Sequence, residues 1–121
     1  MATILAVDDS PTVRAMVQQA LSMGGYKIIV ASDGAEGLET FSHQPFDLVI
    51  TDINMPIMDG LTLIREIRKS NDTVPILTLT TENDETVKAQ GQEAGANGWL
   101  VKPFNPMSFL DIVQEVLART A

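Results

Sequence analysis

The chain has 121 residues, 45% of them hydrophobic, and this length suits one soluble domain with a single core. Sixteen Asp and Glu against eight Lys and Arg give a formal net charge of −8, which opposes binding to nucleic acid or anionic lipid and favours a cation or a basic protein. The absence of Cys excludes disulfides and thiolate zinc sites, and because there is neither a membrane-length apolar run nor a signal-peptide pattern, we expect a cytoplasmic protein.

In chain order, short apolar runs alternate with amphipathic stretches, a pattern typical of a parallel sheet covered by helices on both faces. The predicted strands are 4–7, 27–31, 47–51, 75–80 and 97–101. Ser10 and Pro11 are suited to begin the first helix, and the later helices are expected to begin near residues 34, 60, 84 and 107. Five βα units in succession predict an α/β fold.

Reactive polar residues follow four of these apolar runs: Asp8 and Asp9, Asp52, Thr80, and Lys102. Because the carboxyl ends of parallel strands lie along one edge of a sheet, we expect these side chains to meet there. Three facing carboxylates would repel and raise one another's pKa unless a cation lay between them. Mg²⁺ prefers oxygen ligands, so the pattern predicts a magnesium site.

The most specific stretch is Asp52–Gly60, whose acid comes directly off a buried strand and whose Pro and Gly shape the turn into the next helix. It resembles the phosphoacceptor loop of response-regulator receiver domains, and above all that of single-domain chemotaxis regulators of the CheY type. The resemblance extends from Ile4 to the last helix. It implies a flavodoxin-like doubly wound (βα)₅ fold with parallel strand order 2-1-3-4-5, and residues 1–121 as one receiver domain without an output domain.

The resemblance also implies the chemistry of the site. Asp52 would accept a phosphoryl group from a histidine kinase in a Mg²⁺-dependent reaction. Asp9 and Asp52 would bind the metal directly, the main-chain carbonyl of Asn54 would be a third ligand, and Asp8 would act largely through water or hydrogen bonds. Lys102 would neutralise charge on the phosphoryl group.

Further roles follow from the same resemblance. A cis peptide bond before Pro103 would aim Lys102 into the site. Thr80, preferred over Thr81 for this role, would bind a phosphoryl oxygen after transfer. Trp99 stands where chemotaxis regulators commonly carry Tyr, and we expect its rotamer to accompany the movement of Thr80.

Residues beside the path of the attacking water would set the lifetime of the phosphate. Asn54 and Glu82 are similar to those of rapidly dephosphorylating chemotaxis receivers, which predicts a lifetime of seconds to minutes. Thr81 replaces a smaller residue often found there and could hinder the approach of water.

The expected output is binding by a monomer through its fourth helix, fifth strand and fifth helix, without enzymatic activity beyond its own phosphorylation and dephosphorylation. The downstream partner implied is a flagellar motor switch protein, with no role for nucleic acid or membrane. However, the fourth helix begins with the acidic stretch Glu82–Glu85, where the best-known motor-binding regulators have Lys. A relay intermediate or a phosphate sink is therefore an alternative.

Two other classes are more remote. Haloacid-dehalogenase-like phosphotransferases also use an Asp nucleophile, Mg²⁺ and Lys at strand ends, but their nucleophile normally follows the first strand in an Asp-x-Asp arrangement, and this chain has no room for their cap. A flavin binder would need a Ser/Thr/Gly-rich phosphate cradle after the first strand. The carboxylates of Asp8 and Asp9 would instead repel a flavin phosphate.

Overall fold

The computed structural model describes residues 2–81, 85–102 and 104–120, which form a five-stranded parallel sheet flanked by five helices. The strands are β1 (Thr3–Val7), β2 (Lys27–Ala31), β3 (Leu48–Asp52), β4 (Ile76–Thr80) and β5 (Gly98–Val101). The helices are α1 (Pro11–Ser22), α2 (Gly34–His43), α3 (Gly60–Ser70), α4 (Glu85–Ala94) and α5 (Pro106–Thr120). The sheet order β2-β1-β3-β4-β5 confirms the flavodoxin-like fold expected from the sequence.

Two apolar clusters, one on each face of the sheet, form the core. Successive strand residues point to opposite faces, so Ile4 of β1 belongs to one cluster and Leu5 to the other. Buried residues of α1 and α5 pack on the first face, and those of α3 and α4 on the second. Burial on both faces is why the strands read as continuous apolar runs.

Side-chain caps begin three of the helices as their sequences favour. The hydroxyl of Ser10 accepts a hydrogen bond from the Val13 amide at the start of α1, and the carboxylates of Asp33 and Asp59 cap α2 and α3. The third strand differs from its prediction by one residue, since it begins at Leu48 and includes Asp52. The sheet register therefore holds the Asp52 backbone directly, opposite Leu79.

The loop between β3 and α3 packs closely against its surroundings at two glycines. A Cβ atom at Gly60 would lie 2.0 Å from the carbonyl oxygen of Asp52, and one at Gly34 would lie 2.3 Å from that of Met58. The Gly60 and Gly34 amides donate to the carbonyls of Ile53 and Met58, respectively. These contacts tie the loop to the end of β3 and to the start of α2.

Within the part of the chain that the structure describes, every helix is too short or too polar to cross a bilayer.

Candidate metal and phosphoacceptor site

The candidate site lies at the carboxyl edge of the sheet. Asp8 directly follows β1, and Lys102 directly follows β5. Asp52 and Thr80 are the last residues of β3 and β4. Because β1, β3, β4 and β5 are neighbours in that order, the fold brings these strand ends together as the sequence predicted.

The ammonium of Lys102 lies between two buried carboxylates. Its Nζ is 2.8 Å from Oδ2 of Asp8 and 3.4 Å from Oδ2 of Asp52. The Lys102 side chain is only 14% exposed, which strengthens both interactions relative to a surface ion pair. The three groups therefore form one partly desolvated charge cluster.

Asp8 is 3% exposed and is held on several sides. Its amide donates to the Ala31 carbonyl, and its Oδ1 accepts from the Ser10 amide at 2.9 Å. Its main-chain oxygen accepts from Nη1 of Arg14 at 2.6 Å. The buried Oδ2 has Lys102 alone as a partner among the described residues.

The surroundings of Asp52 disfavour its negatively charged form. Burial and the neighbouring Asp8 carboxylate raise the pKa of Asp52 to about 6, although Lys102 and the Ile53 amide act in the opposite direction. That amide donates to Oδ1 of Asp52 at 2.8 Å. Burial also disfavours the charge of Lys102, but its hydrogen bonds with Asp8 and Asp52 and their negative charges outweigh this effect and raise the pKa of the ammonium.

The donor set fits a hard divalent cation. Carboxylate oxygens of Asp8, Asp9 and Asp52 lie within 4.8 Å of one another, Asp9 being exposed while the other two are buried. A cation would compensate the repulsion between Asp8 and Asp52, and water bound to it would give the buried Oδ2 of Asp8 a second partner. All-oxygen ligands with an open, exposed side suit Mg²⁺, which keeps several waters.

These features agree with the comparisons with known proteins. The family model described as the response regulator receiver domain matches residues 4–114 of this chain. The chain belongs to the response regulator receiver domain family. Receiver domains of two-component systems have a histidine kinase as a partner and act on a downstream target.

Curated relatives of this receiver include longer proteins. The chain is 43% identical over 117 residues to a probable transcriptional regulator, ycf27, of Guillardia theta, covering 97% of this chain and 46% of that protein. It is 38% identical over 117 residues to the response regulator MprA of Mycobacterium leprae, covering 97% of this chain and 51% of that protein. The chain thus spans about half the length of these relatives.

Solved receiver structures are similar over nearly their whole length. The chemotaxis response regulator CheY4 of Vibrio cholerae is 44% identical, with a TM-score of 0.92 over 96% of this chain and 98% of that one. The receiver domain of the sensor histidine kinase PA1611 of Pseudomonas aeruginosa is 28% identical, with a TM-score of 0.89 over 97% and 98% of the chains. That structure has a magnesium ion coordinated in its active-site cleft.

Other residues predicted from the receiver resemblance occupy distinct environments. Thr80 is buried at the end of β4, whereas Thr81 and Asn54 are exposed. Glu82 and Pro103 lie outside the described residues, as do Asn83 and Asp84 of the acidic stretch. Their expected roles in phosphate lifetime, in aiming Lys102 and in partner choice stay predictions.

Trp99 of β5 is 45% exposed and faces α4. The ammonium of Lys88 lies 4.6 Å from the centre of its ring and 3.5 Å from a carboxylate oxygen of Glu85. The cavity beside the ring has a volume of about 10 Å³, enough for about one water molecule. This cavity is therefore too small to admit the indole ring.

Sequence reasoning missed two features near the site. Arg14 is the single charged residue of α1, and this isolation so close to the Asp8-Asp9 pair was an available signal. Ile57 has a backbone φ of 70° and is 85% exposed. Nothing in the sequence indicated this conformation, because a positive φ is unusual for a β-branched residue.

Proposed function

We propose that this receiver is a phosphorylation-controlled switch in which Asp52 accepts a phosphoryl group from a histidine kinase. The observation that carries the proposal is the position of the Lys102 ammonium, 2.8 Å from Asp8 and 3.4 Å from Asp52. A buried carboxylate at a strand end, beside a fixed ammonium and within reach of two further carboxylates, has the parts that phosphoryl transfer needs.

In the transfer step, a carboxylate oxygen of Asp52 attacks the phosphorus of a phosphohistidine. The new O–P bond forms as the N–P bond breaks, and the leaving electron pair returns to the imidazole nitrogen, which then takes up a proton. The reaction needs ionised Asp52, and with a pKa of about 6 the carboxylate is mostly ionised at neutral pH.

Charge neutralisation is the main requirement at the reacting phosphoryl group. Asp9 and Asp52 would hold Mg²⁺ with the Asn54 carbonyl, Asp8 would assist through water, and the bound ion would supply positive charge to the phosphoryl oxygens. Lys102, already at the carboxylate of Asp52, would bind a phosphoryl oxygen. Thr80, at the neighbouring strand end, would donate its hydroxyl to another oxygen after transfer.

Phosphorylation replaces the single negative charge of the Asp52 carboxylate with a phosphoryl group that carries about −1.5 to −2 charges and three acceptor oxygens. Lys102 would then exchange its carboxylate contacts for phosphoryl contacts, and the change would reach the surface formed by α4, β5 and α5. Trp99 belongs to this surface. We propose that partner binding there, and not a separate enzymatic activity, is the output.

For the downstream partner we propose a chemotaxis-type output, such as a flagellar motor switch protein. Its support is the 44% identity to CheY4 over 98% of that chain. A transcriptional output is the second candidate, supported by 43% identity to a probable transcriptional regulator. A relay or phosphate-sink role is the third, since a receiver of a sensor histidine kinase is also similar.

Mass spectrometry of the chain treated with acetyl phosphate and MgCl₂ tests the phosphoacceptor role. We expect one phosphoryl adduct, mapped to the peptide that contains Asp52 and absent from Asp52→Asn or in EDTA. An adduct at another residue, or none, would contradict the proposal. Binding of the beryllofluoride-treated chain to the motor switch protein of the source organism then tests the chemotaxis output, with Asp52→Asn as the control.

A further inference from the structure

Arg14 reaches from the first turns of α1 back to the end of β1. Its Nη1 donates a 2.6 Å hydrogen bond to the main-chain oxygen of Asp8, and the side chain is half-buried. It is the single charged residue of α1, whose other eleven residues are uncharged. The guanidinium therefore lies at the edge of the acidic site although it is not one of its ligands.

The atom that Arg14 contacts belongs to the peptide group joining Asp8 to Asp9. Because a peptide group is planar, the direction of its carbonyl also determines where the next Cα lies and how its side chain leaves the backbone. The preceding amide, that of Asp8, donates to the Ala31 carbonyl, and the Asp8 side chain accepts from the Ser10 amide. Arg14 thus holds the one peptide group that sets the relative directions of the two carboxylates.

We propose that Arg14 is a positioning residue for the metal site, orienting the Asp8–Asp9 peptide so that both carboxylates face one cation. This inference rests on the metal site of the proposed function. It predicts that removal of Arg14 weakens Mg²⁺ binding although Arg14 never touches the ion. Outer-shell partners of metal ligands typically contribute about 10-fold to 100-fold in affinity.

The sign of the effect separates this role from simple electrostatics. A positive charge beside an acidic cation site repels Mg²⁺, so removing the charge alone would tighten binding. Loss of the hydrogen bond to the Asp8 carbonyl would weaken Mg²⁺ binding, because the two carboxylates would no longer be held in one arrangement. Arg14→Gln and Arg14→Lys separate the two effects, since Lys keeps the charge and loses the planar donor group.

The test is titration of MgCl₂ into the purified chain by isothermal titration calorimetry, with the amide NMR shift of Ser10 followed in parallel. We expect Kd to rise about 10-fold in Arg14→Lys, the lower end of the outer-shell range, and by less in Arg14→Gln, where removal of the repelling charge offsets part of the loss. The Ser10 amide, which bonds Oδ1 of Asp8, is expected to shift in both variants even without metal. Arg65→Gln, which removes an exposed charge from α3, is the matched control and should leave Kd unchanged.

Unchanged or tighter binding in Arg14→Lys, which keeps the charge, would overturn the inference. A lower melting temperature with an unchanged Kd for the folded fraction would do the same, because it would make Arg14 a purely structural residue. Phosphorylation of the wild-type chain by acetyl phosphate is measured in a separate experiment. If the wild type binds Mg²⁺ but accepts no phosphoryl group, the proposed function fails while the role of Arg14 in metal binding is still decided.

Discussion

Lys102 lies closer to Asp8 than to Asp52, with 2.8 Å from its Nζ to the Asp8 carboxylate and 3.4 Å to that of Asp52. The residue with the raised pKa is thus the one with the longer ion-pair contact. This asymmetry leaves Asp52 the less compensated of the two buried carboxylates. It also determines how the site should respond to substitution and to pH.

Lys102→Met should raise the pKa of Asp52 above its value of about 6, because the ammonium is the nearest positive charge that opposes protonation. The amide of Ile53, which donates to Asp52, reports the titration by NMR. We also expect the free energy of unfolding to fall by about 2–4 kcal/mol in EDTA, since two buried carboxylates lose their partner. An unchanged Ile53 titration would show that Lys102 and Asp52 are not coupled in solution.

Asp52→Asn should change how stability depends on pH. The pKa of Asp52 is about 6 in the folded chain against its ordinary 3.8, so the folded state binds more protons between these values. Stability in EDTA should therefore decrease as pH rises from about 4 to above 6, by on the order of 2 kcal/mol after allowance for solvent screening. Urea unfolding across this range should show the decrease in the wild type and a smaller one in Asp52→Asn. Equal pH profiles would contradict the raised pKa.

Ile57→Gly should stabilise the fold. Ile57 has a φ of 70° and is 85% exposed, so the substitution removes backbone strain and sacrifices little buried apolar surface. Glycine adopts this conformation without a Cβ penalty, and the expected gain in unfolding free energy is about 1 kcal/mol. Ile57→Ala keeps the strain and is the control, for which denaturant unfolding should show no comparable gain. Equal stabilities of the two variants would argue against strain at this position.

Trp99 should report activation through its intrinsic fluorescence. It is the only Trp of the chain, it is 45% exposed, and Lys88 lies 4.6 Å from its ring centre. Beryllofluoride with Mg²⁺ should change its emission if α4 moves on activation, and Asp52→Asn should abolish the response. Lys88→Gln should alter the starting emission by removing the cation. No response in a chain shown to be phosphorylated would make Trp99 a packing residue.

Local patterns in the sequence were enough to predict the order of elements and the edge of the sheet that carries the site. Continuous apolar runs marked strands buried on both faces, and Ser10 marked the start of α1 through its own side-chain chemistry. The parallel topology then required Asp8, Asp52 and Lys102 to end on one edge. These inferences depend on neighbours close in sequence or on rules of strand order, which composition and spacing express directly.

Tertiary structure alone decided which of these groups are buried and which are paired. Asp8 and Asp9 are adjacent in sequence, yet one is buried against Lys102 and the other is exposed, because the chain turns between them. The hydrogen bond from Arg14 to the Asp8 carbonyl also depends on how α1 packs beside β1. The distances between side chains and their desolvation arise from the packing of several elements. The sequence therefore identifies which residues belong to the site, while the fold determines their charges and contacts.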